Sequence, residues 1–314
     1  MPKQIVALLL LALLGACSDP PDPPLRVGTN VWPGYEPLYL ARDLNFFNAQ
    51  QVRLVEYPNA SEVLRSFRND AIEVAAVTLD EALLLHDHTP DIRIILGLDY
   101  SNGGDALLAQ PGIRTLAELK GRRVGVENTA LGAYMLSLAL ESIGMFSSEV
   151  QIVPLTVDAH ETAFKNKTVD AVVTFEPVKS KLLAVQAEQL FDSAQVPGKI
   201  MDVLVTREKY LTTRRKQIDL LIKSWFQAVD YAQRNAADFA RRTAAREKIG
   251  EAEFTTSLQG IHLLDARENH ALFDPAQRRI LMQVERLSGF MLEHHLIESP
   301  IPGDIIFPQR FAAP

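Results

Sequence analysis

The sequence contains little of the chemistry on which most enzymes depend. Its one cysteine is Cys17, so the rest of the chain has no thiol for a disulfide, an iron–sulfur cluster or nucleophilic catalysis. We find no Gly-x-Ser-x-Gly elbow, no Gly-x-x-x-x-Gly-Lys phosphate loop, no Gly-x-Gly-x-x-Gly fingerprint and no His-Glu-x-x-His motif. These absences argue against the common hydrolase, nucleotide-dependent and metallopeptidase classes, and we predict no enzymatic activity and no cofactor.

Positive charge and long apolar runs are also scarce. Lys and Arg number 32 against 39 Asp and Glu, and the net charge of −7 argues against a nucleic-acid partner. No apolar run is long enough to span a bilayer. An apolar content of 47% and a charged content of 23% are values of a globular protein, here with room for two domains or one two-lobed domain.

The first residues resemble a lipoprotein signal peptide. Lys3 precedes an apolar run at residues 5–14 that closes on Leu14-Gly15-Ala16-Cys17. The tetrapeptide resembles the bacterial lipobox, in which the cysteine is acylated and becomes the mature N-terminus. We therefore predict a signal peptide at 1–16, lipidation of Cys17 with a fatty acid such as palmitate, and a membrane-anchored location on the periplasmic side of the cell envelope. An ordinary signal peptide that ends near a cysteine is the alternative.

The segment after Cys17 is rich in proline and reads SDPPDPP at 18–24. Proline-rich segments of this kind favour the extended polyproline II conformation. We predict that residues 17–24 form a lipidated tether that holds the folded part clear of the lipid surface.

Short apolar strands alternate with helical segments over the remainder, a pattern typical of an α/β fold with mostly parallel sheets. The predicted strands are 25–29, 74–78, 92–98, 106–109, 123–126, 151–155, 171–175 and 201–206. Helices are predicted at 36–47 and 131–143. Capping signals at Asn59, Thr115 and Asp158 each predict the start of a further helix, and almost everything beyond Arg207 is predicted to be helical. The chain is expected to cross between two units near 103 and near 200. We predict one lobe from 25–104 plus 203–314, a second lobe from 105–202, and a double-crossing hinge.

Several segments carry a family resemblance. They are NVWPGYEPLYLA at 30–41, LKGRRVGV at 119–126, VDAVV at 169–173 and FEP at 175–177. In order and spacing they resemble the nitrate/sulfonate/taurine and thiamine-pyrimidine-precursor group of ABC-transporter solute-binding proteins. The resemblance implies a two-lobed (type II) periplasmic-binding fold, a small-molecule ligand in the cleft and an ABC permease as membrane partner. We expect a monomer.

The ligand site is predicted at the loops that follow the strands, because open α/β sheets bind ligands outside the carboxyl ends of their strands. These loops are 30–35, 78–81, 99–105, 127–131 and 174–177. Trp32 leads the candidates, since a tryptophan in a Pro-Gly turn can project its ring into a cleft; packing at a lobe edge is its alternative role. The predicted ligand-binding residues are Asn30, Trp32, Tyr35, Thr78, Asp80, Asp99, Tyr100, Glu127, Asn128, Thr129, Phe175 and Glu176.

The charge of these loops predicts the kind of ligand. Acidic residues lie at or beside the strand ends, at Asp80, Asp99, Asp105, Glu127 and Glu176, and the loops contain no Lys or Arg. A nitrate or sulfonate would need hydrogen-bond donors and a favourable potential, so the sequence departs from those family members. A cationic or N–H-rich ligand, such as an aminopyrimidine, fits carboxylates beside aromatic rings better.

Two other functions remain open at this point. A sensor lipoprotein that reports its ligand to a membrane signalling partner would need the same cleft and tether. A pyrimidine-synthase-like enzyme shares the lobes, but the cysteine-rich motif on which it relies is absent. The histidine clusters His86-x-His88 and His294-His295 lie at probable helix ends, so we predict no metal site.

Overall fold

The computed structural model describes residues 22–247 and 249–305. The predicted signal peptide, Cys17 and most of the predicted tether lie outside the described residues.

The first sheet holds the strands from the two ends of the described chain. Its strands are β1 (Leu25–Asn30), β2 (Val52–Tyr57), β3 (Val74–Thr78), β4 (Ile92–Ser101), β10 (Met201–Arg207) and β11 (Ile261–Leu263). Their order is β11-β4-β10-β3-β1-β2. β1 pairs in parallel with β2 and β3, whereas β10 is antiparallel to β3 and β4, and β11 is antiparallel to β4.

The second sheet is built from the middle of the chain. Its strands are β5 (Asp105–Ala109), β6 (Arg123–Val126), β7 (Gln151–Pro154), β8 (Ala171–Phe175) and β9 (Glu188–Asp192). Their order is β7-β6-β8-β5-β9. β6 pairs in parallel with β7 and β8, whereas β5 is antiparallel to β8 and β9.

The expectation of mostly parallel sheets is confirmed for strand direction, since β1 to β4 run the same way in the first sheet and β6 to β9 run the same way in the second, whereas β5, β10 and β11 are reversed. β5 follows the first crossing and is antiparallel to its neighbours β8 and β9. β10 follows the second crossing and is antiparallel to its neighbours β3 and β4. β2, β9 and β11 were not predicted from the sequence. β2 and β9 lie at sheet edges and carry charged residues, so neither shows the continuous apolar run of a buried strand such as β3.

Helices cover both sheets and form most of the C-terminal region. They are α1 (Glu36–Asp43), α2 (Ala60–Arg68), α3 (Leu79–His88), α4 (Ala130–Glu141), α5 (Val157–Lys165), α6 (Val178–Leu183), α7 (Glu208–Thr213), α8 (Arg215–Arg234), α9 (Ala236–Glu247), α10 (Glu251–Gln259), α11 (Ala266–Phe273) and α12 (Arg279–Glu293). Short 3-10 turns occur at Pro33–Tyr35, Leu116–Leu119, Ser147–Glu149, Ser193–Gln195 and Gly303–Ile305.

Capping explains where some of these helices begin. The predicted cap at Asn59 is confirmed, since its side chain accepts a hydrogen bond from the Glu62 N–H at 3.0 Å. The predicted cap at Asp158 is wrong: Thr156 is the N-cap of α5, and Asp158 lies in the first turn. Among the described residues, no helix combines the length and apolar character needed to cross a membrane.

The chain crosses between the sheets twice, and the crossings contact each other. The first follows β4, where the N–H groups of Asn102 and Gly104 both donate to the Gly260 carbonyl oxygen. The Ser193 hydroxyl, near the second crossing, accepts from the Gly103 N–H at 2.7 Å. Gly103 has a φ of +112°, a conformation that residues with a Cβ rarely adopt. β10 begins at Met201, so residues 201 and 202 already pair with the first sheet.

Candidate functional site

A small cavity lies where the two sheets face each other. Its volume is about 20 Å³, which is room for roughly one water molecule. It lies at the carboxyl ends of β1, β3 and β8, the edge that the strand-end rule predicts. Its lining residues are Asn30, Trp32, Tyr35, Ala60, Thr78, Glu81 and Asp202 from the first unit and Asp105, Leu131 and Phe175 from the second.

Trp32 forms the aromatic wall of the cavity. Its ring packs edge-on against Phe175, with centroids 5.9 Å apart, so the contact joins the two units. Its indole Nε1 donates to Asp99 Oδ1 at 3.3 Å. A Cβ at Gly34 would lie 2.3 Å from Asp99 Oδ2, so the Pro-Gly turn needs glycine for this close approach. The indole is buried and presents its ring to the cavity.

Behind the aromatic wall, Tyr35, Asp99 and Asp202 form a buried acidic group. The Tyr35 hydroxyl donates to Asp202 Oδ1, and Asp202 pairs with Asp99 across the β10–β4 ladder. Burial raises the pKa of Asp99 to about 8. Burial and repulsion from Asp99 raise the pKa of Asp202 well above its ordinary value. At neutral pH the pair therefore retains protons, since two buried carboxylates this close repel each other.

Two cavity-lining residues have a buried acceptor with no hydrogen-bond partner among the described residues: Glu81, through Oε1, and Thr78, through its hydroxyl oxygen. Asp80 Oδ2, Glu127 Oε2 and the Thr174 hydroxyl oxygen also lack a partner there, but these residues lie outside the lining. The other oxygen of Glu81, Oε2, accepts from the Thr78 N–H at 3.1 Å. A buried acceptor without a donor is unfavourable, so this edge of the cavity is suited to a solute that brings hydrogen-bond donors.

The potential of the cavity is set by carboxyl groups. Burial raises the pKa of Asp80 to about 7, and burial with repulsion from Asp80 and Glu127 raises that of Glu81 to about 8. Burial also raises the pKa of Asp105 to about 7, although the Lys179 charge opposes the shift. In the described part of the chain no Lys, Arg or His lines the cavity.

Polar contacts at the N-terminus of α2 connect the two units beside the cavity. Glu127 Oε1 accepts from both the N–H and the hydroxyl of Ser61, at 3.1 and 3.0 Å. Asn59 Nδ2 donates to Asp158 Oδ1 at 3.0 Å. A helix N-terminus favours carboxylates, so these contacts hold the units together. We call Asn59, Ser61, Glu127 and Asp158 the α2 latch.

The structure brings together part of the predicted ligand-binding set. Asn30, Trp32, Tyr35, Thr78 and Phe175 line the cavity. Asp80 and Asp99 are fully buried and lie outside its lining, with Asp99 directly behind Trp32.

The remaining predicted residues lie elsewhere. The Tyr100 hydroxyl accepts from Gln283 Nε2 at 2.7 Å, away from the cavity, because successive side chains of β4 point to opposite faces. Glu176 Oε2 accepts from the Ser180 N–H at 3.1 Å and so caps α6. Glu127 belongs to the α2 latch, Asn128 is exposed, and Thr129 is the N-cap residue of α4.

The cavity also contains residues outside the predicted binding set. Glu81, Asp105 and Leu131 fall within the predicted loops, and Asp105 was already counted among their acidic residues. Asp202 lies outside those loops because β10 is antiparallel and brings its amino end to this edge. Ala60 reaches the cavity only through the placement of α2.

Within the described residues, no group of three or more His, Cys, Asp and Glu side chains is arranged so that it could hold a metal ion. His294 stacks on Phe290, with ring centroids 4.0 Å apart, and its Nε2 lies 3.0 Å from Glu141 Oε1. This histidine therefore contributes to packing between α12 and α4.

Two solved structures of known proteins are similar to this chain in fold. The alkanesulfonate-binding protein SsuA from Xanthomonas axonopodis pv. citri, solved bound to MOPS, matches with a TM-score of 0.77 at 17% identity over 93% of this chain and 99% of that one. The ligand-binding component of an ABC-type import system from Staphylococcus aureus, solved with zinc, matches with a TM-score of 0.74 at 14% identity over 91% and 97%. The chain thus has the two-lobed α/β fold of periplasmic-binding proteins.

Curated sequences and a family model give the family. A protein of Brucella abortus named as a binding protein is 24% identical over 178 residues, which are 55% of this chain and 56% of that protein. The chain therefore spans little more than half the length of the curated relatives that it matches. The model of the NMT1-like family matches residues 18–247. Because this match covers most of the chain, the protein belongs to the NMT1-like family.

Proposed function

We propose that this protein is the extracytoplasmic solute-binding component of an ABC importer, and that it binds a small cationic or N–H-rich molecule such as an aminopyrimidine in the cavity. Family membership and the fold support the binding role, and a permease is the partner that such a role requires. The observation that carries the choice of ligand is the unpartnered Glu81 Oε1, which belongs to a cavity-lining residue only 2% exposed.

The ligand's charge follows from what the cavity offers. Glu81, Asp105 and Asp202 line it, and no basic side chain among the described residues does. A cation would allow these carboxyls to ionise and would replace the protons that they hold. Trp32 and Phe175 supply ring faces and edges for a flat or cationic group. A sulfonate such as the MOPS bound by the Xanthomonas protein would meet carboxyl groups and no basic side chain among the described lining residues.

Binding requires the two units to separate and close again. A cavity of about 20 Å³ cannot hold such a molecule, so the two predicted lobes are proposed to move about the two crossings, with Met201 and Asp202 in the first lobe because β10 begins at Met201. Each lobe supplies part of the lining, and the solute therefore favours the closed arrangement.

The location of the protein at a membrane is also a proposal. We infer that residues 1–16 are removed as a signal peptide and that Cys17 anchors the protein to a membrane facing the periplasm. Labelling with a radioactive fatty acid tests this: wild type is expected to carry the label and Cys17→Ala is not. An unlabelled wild-type protein would overturn the anchor without affecting the binding role.

A thermal-shift panel tests the proposed ligand class, because a solute that binds only the folded state raises the melting temperature. The panel should contain amines, amidines and aminopyrimidines beside nitrate, taurine and MOPS. Stabilisation by members of the first group is expected, and the stabilising solute should be recovered chemically unchanged. Stabilisation by the anions alone would reject a cationic ligand, and catalytic conversion of the solute would reject the binding role.

A further inference from the structure

A second, larger pocket lies on the opposite side of β4 from the cavity. It is a groove of about 590 Å³ between β11, α11 and α12, within the size range of small-molecule sites. Tyr100 lies in this groove, whereas its neighbour Asp99 lies behind the cavity wall. The groove is therefore a separate pocket that shares a strand with the proposed solute site.

The groove is lined by basic side chains although the whole protein is acidic. Arg267, Arg279 and Arg286 line it, and within residues 22–247 and 249–305 none of them has an ion-pair partner. By contrast Arg278, next to Arg279, pairs with Glu285 at 2.9 Å. The guanidinium groups in the groove thus remain available to an external anion.

The nearby carboxylates are already engaged. Glu268, which lines the groove, binds His262 Nε2 at 2.7 Å through Oε1 and the Asp265 N–H at 3.0 Å through Oε2. Asp274 binds Gln277 Nε2 and the Ala276 N–H, and these hydrogen bonds lower its pKa, with smaller contributions from the charges of His270 and Arg279. Neither carboxylate forms an ion pair with the groove arginines.

One further polar atom in the groove lacks a partner. Gln283 Nε2 donates to the Tyr100 hydroxyl at 2.7 Å, while its buried Oε1 has no hydrogen-bond partner among the described residues. Leu264 and Leu272 supply buried apolar surface beside it. A ligand suited to this groove carries anionic oxygens for the arginines and a hydroxyl or N–H donor for Gln283.

We propose that the groove between β11, α11 and α12 is a second binding site, and that it takes a small molecule bearing carboxylate or phosphate groups. Arginine matches these groups because its planar N–H fork can donate two hydrogen bonds to one anion. The site is independent of the proposed cation site, since the two pockets share no lining residue.

The test uses citrate, a hydroxylated tricarboxylate, and inorganic phosphate as probes in calorimetric titrations of the purified protein. We expect citrate to bind, and we expect its Kd to rise about tenfold in the double variant Arg279→Gln/Arg286→Gln, because charge-assisted hydrogen bonds are lost. Arg278→Gln is the matched control, with an unchanged Kd, since its guanidinium pairs with Glu285. Glu81→Gln should also leave citrate binding unchanged, which separates this site from the proposed solute site.

Vesicles of phosphatidylcholine with and without phosphatidylglycerol distinguish a free anion from a lipid headgroup. Citrate or phosphate binding that the double variant weakens about tenfold or more supports the small-molecule site. Sedimentation with phosphatidylglycerol vesicles alone, without citrate or phosphate binding, would overturn it in favour of a membrane-facing surface. Citrate binding that Arg278→Gln weakens as much as the double variant would overturn the assignment to the groove.

Discussion

Trp32 contributes its ring to the cavity wall, and its indole N–H donates to Asp99 behind that wall. Trp32→Ala should weaken binding of a cationic solute by about 1–2 kcal/mol, through lost stacking or cation–π energy. Trp32→Phe keeps an aromatic face but removes the donor to Asp99, so it should retain more of the affinity. Calorimetry on both variants, with circular dichroism to confirm folding, checks this. Equal affinity of wild type and Trp32→Ala for the solute would show that the Trp32 ring does not contribute to binding.

Glu81 and Glu176 provide a matched pair of buried carboxylates. Glu81 lines the cavity with one unpartnered oxygen, whereas Glu176 lies outside the lining and accepts a bond from the Ser180 N–H. Glu81→Gln should weaken a cation by about 2–5 kcal/mol, since a buried charge partner is lost. The corresponding rise in Kd is at least about 30-fold, since each 1.4 kcal/mol is a factor of ten. Glu176→Gln keeps an acceptor at the cap and should leave the Kd unchanged; equal effects of the two variants would argue against direct contact by Glu81.

Individual residues show what sequence can predict about a site. Trp32 and Tyr35 were predicted because a Pro-Gly turn after a strand places them at the sheet edge, and both line the cavity. Tyr100 lies outside the cavity lining because its predicted loop begins inside β4, where successive side chains point to opposite faces of the sheet. Asp202 could not be found by the strand-end rule, since it opens an antiparallel strand.

The α2 latch is the element that we expect to affect the proposed closure most directly, because its contacts join the two units. Ser61→Ala removes the hydroxyl donor to Glu127, and Glu127→Gln removes the charge that favours the helix N-terminus. In both variants the two units should open faster, so the solute should dissociate faster and bind more weakly. Selectivity among solutes should not change. Stopped-flow measurement of solute dissociation checks this; Ser147→Ala in the second unit, outside the latch, serves as control. Unchanged dissociation rates in both latch variants would show that these contacts do not limit opening.

The predicted strand bounds are confirmed where a strand is buried along its whole length and its sequence is a largely apolar run. β3 and β8 are buried along their whole length and appear at their predicted bounds. α1 was predicted to extend to residue 47 but ends at Asp43, and the chain beyond it turns at Asn45 with a φ of 57°. The mixed direction of the sheets depends on contacts between distant segments, which local sequence patterns do not reveal.

The buried carboxyls make the stability of the whole molecule depend on pH. The pKa values of Asp105 and Glu81 are raised to about 7 and about 8, so the folded protein holds protons that the unfolded chain releases. Their contribution to the free energy of unfolding is fully present below the ordinary pKa values of 3.8 and 4.5, and it is lost progressively as pH rises from there through about 7 for Asp105 and about 8 for Glu81. Buried His160 acts oppositely, but only between its lowered pKa of about 4 and its ordinary value of 6.5.

The melting temperature of the solute-free protein should therefore fall between pH 6.5 and 8.5. Asp202→Asn should flatten this fall, because burial and the repulsion from Asp99 raise the pKa of the replaced carboxyl. Scanning calorimetry across this range measures both curves. A melting temperature that rises with pH in wild type would show that the cavity carboxyls are ionised in the folded protein.

The most direct test of the proposed cation site is a calorimetric titration at pH 6.5 with the solute that stabilises the protein most. Two buffers of different ionisation enthalpy give the number of protons released. We predict a cationic or N–H-rich solute that releases protons on binding, because carboxyls with pKa values of about 7 and about 8 ionise against it. We also predict at least about 30-fold weaker binding to Glu81→Gln. A sulfonate that binds wild type and Glu81→Gln equally well, without proton release, would contradict the account.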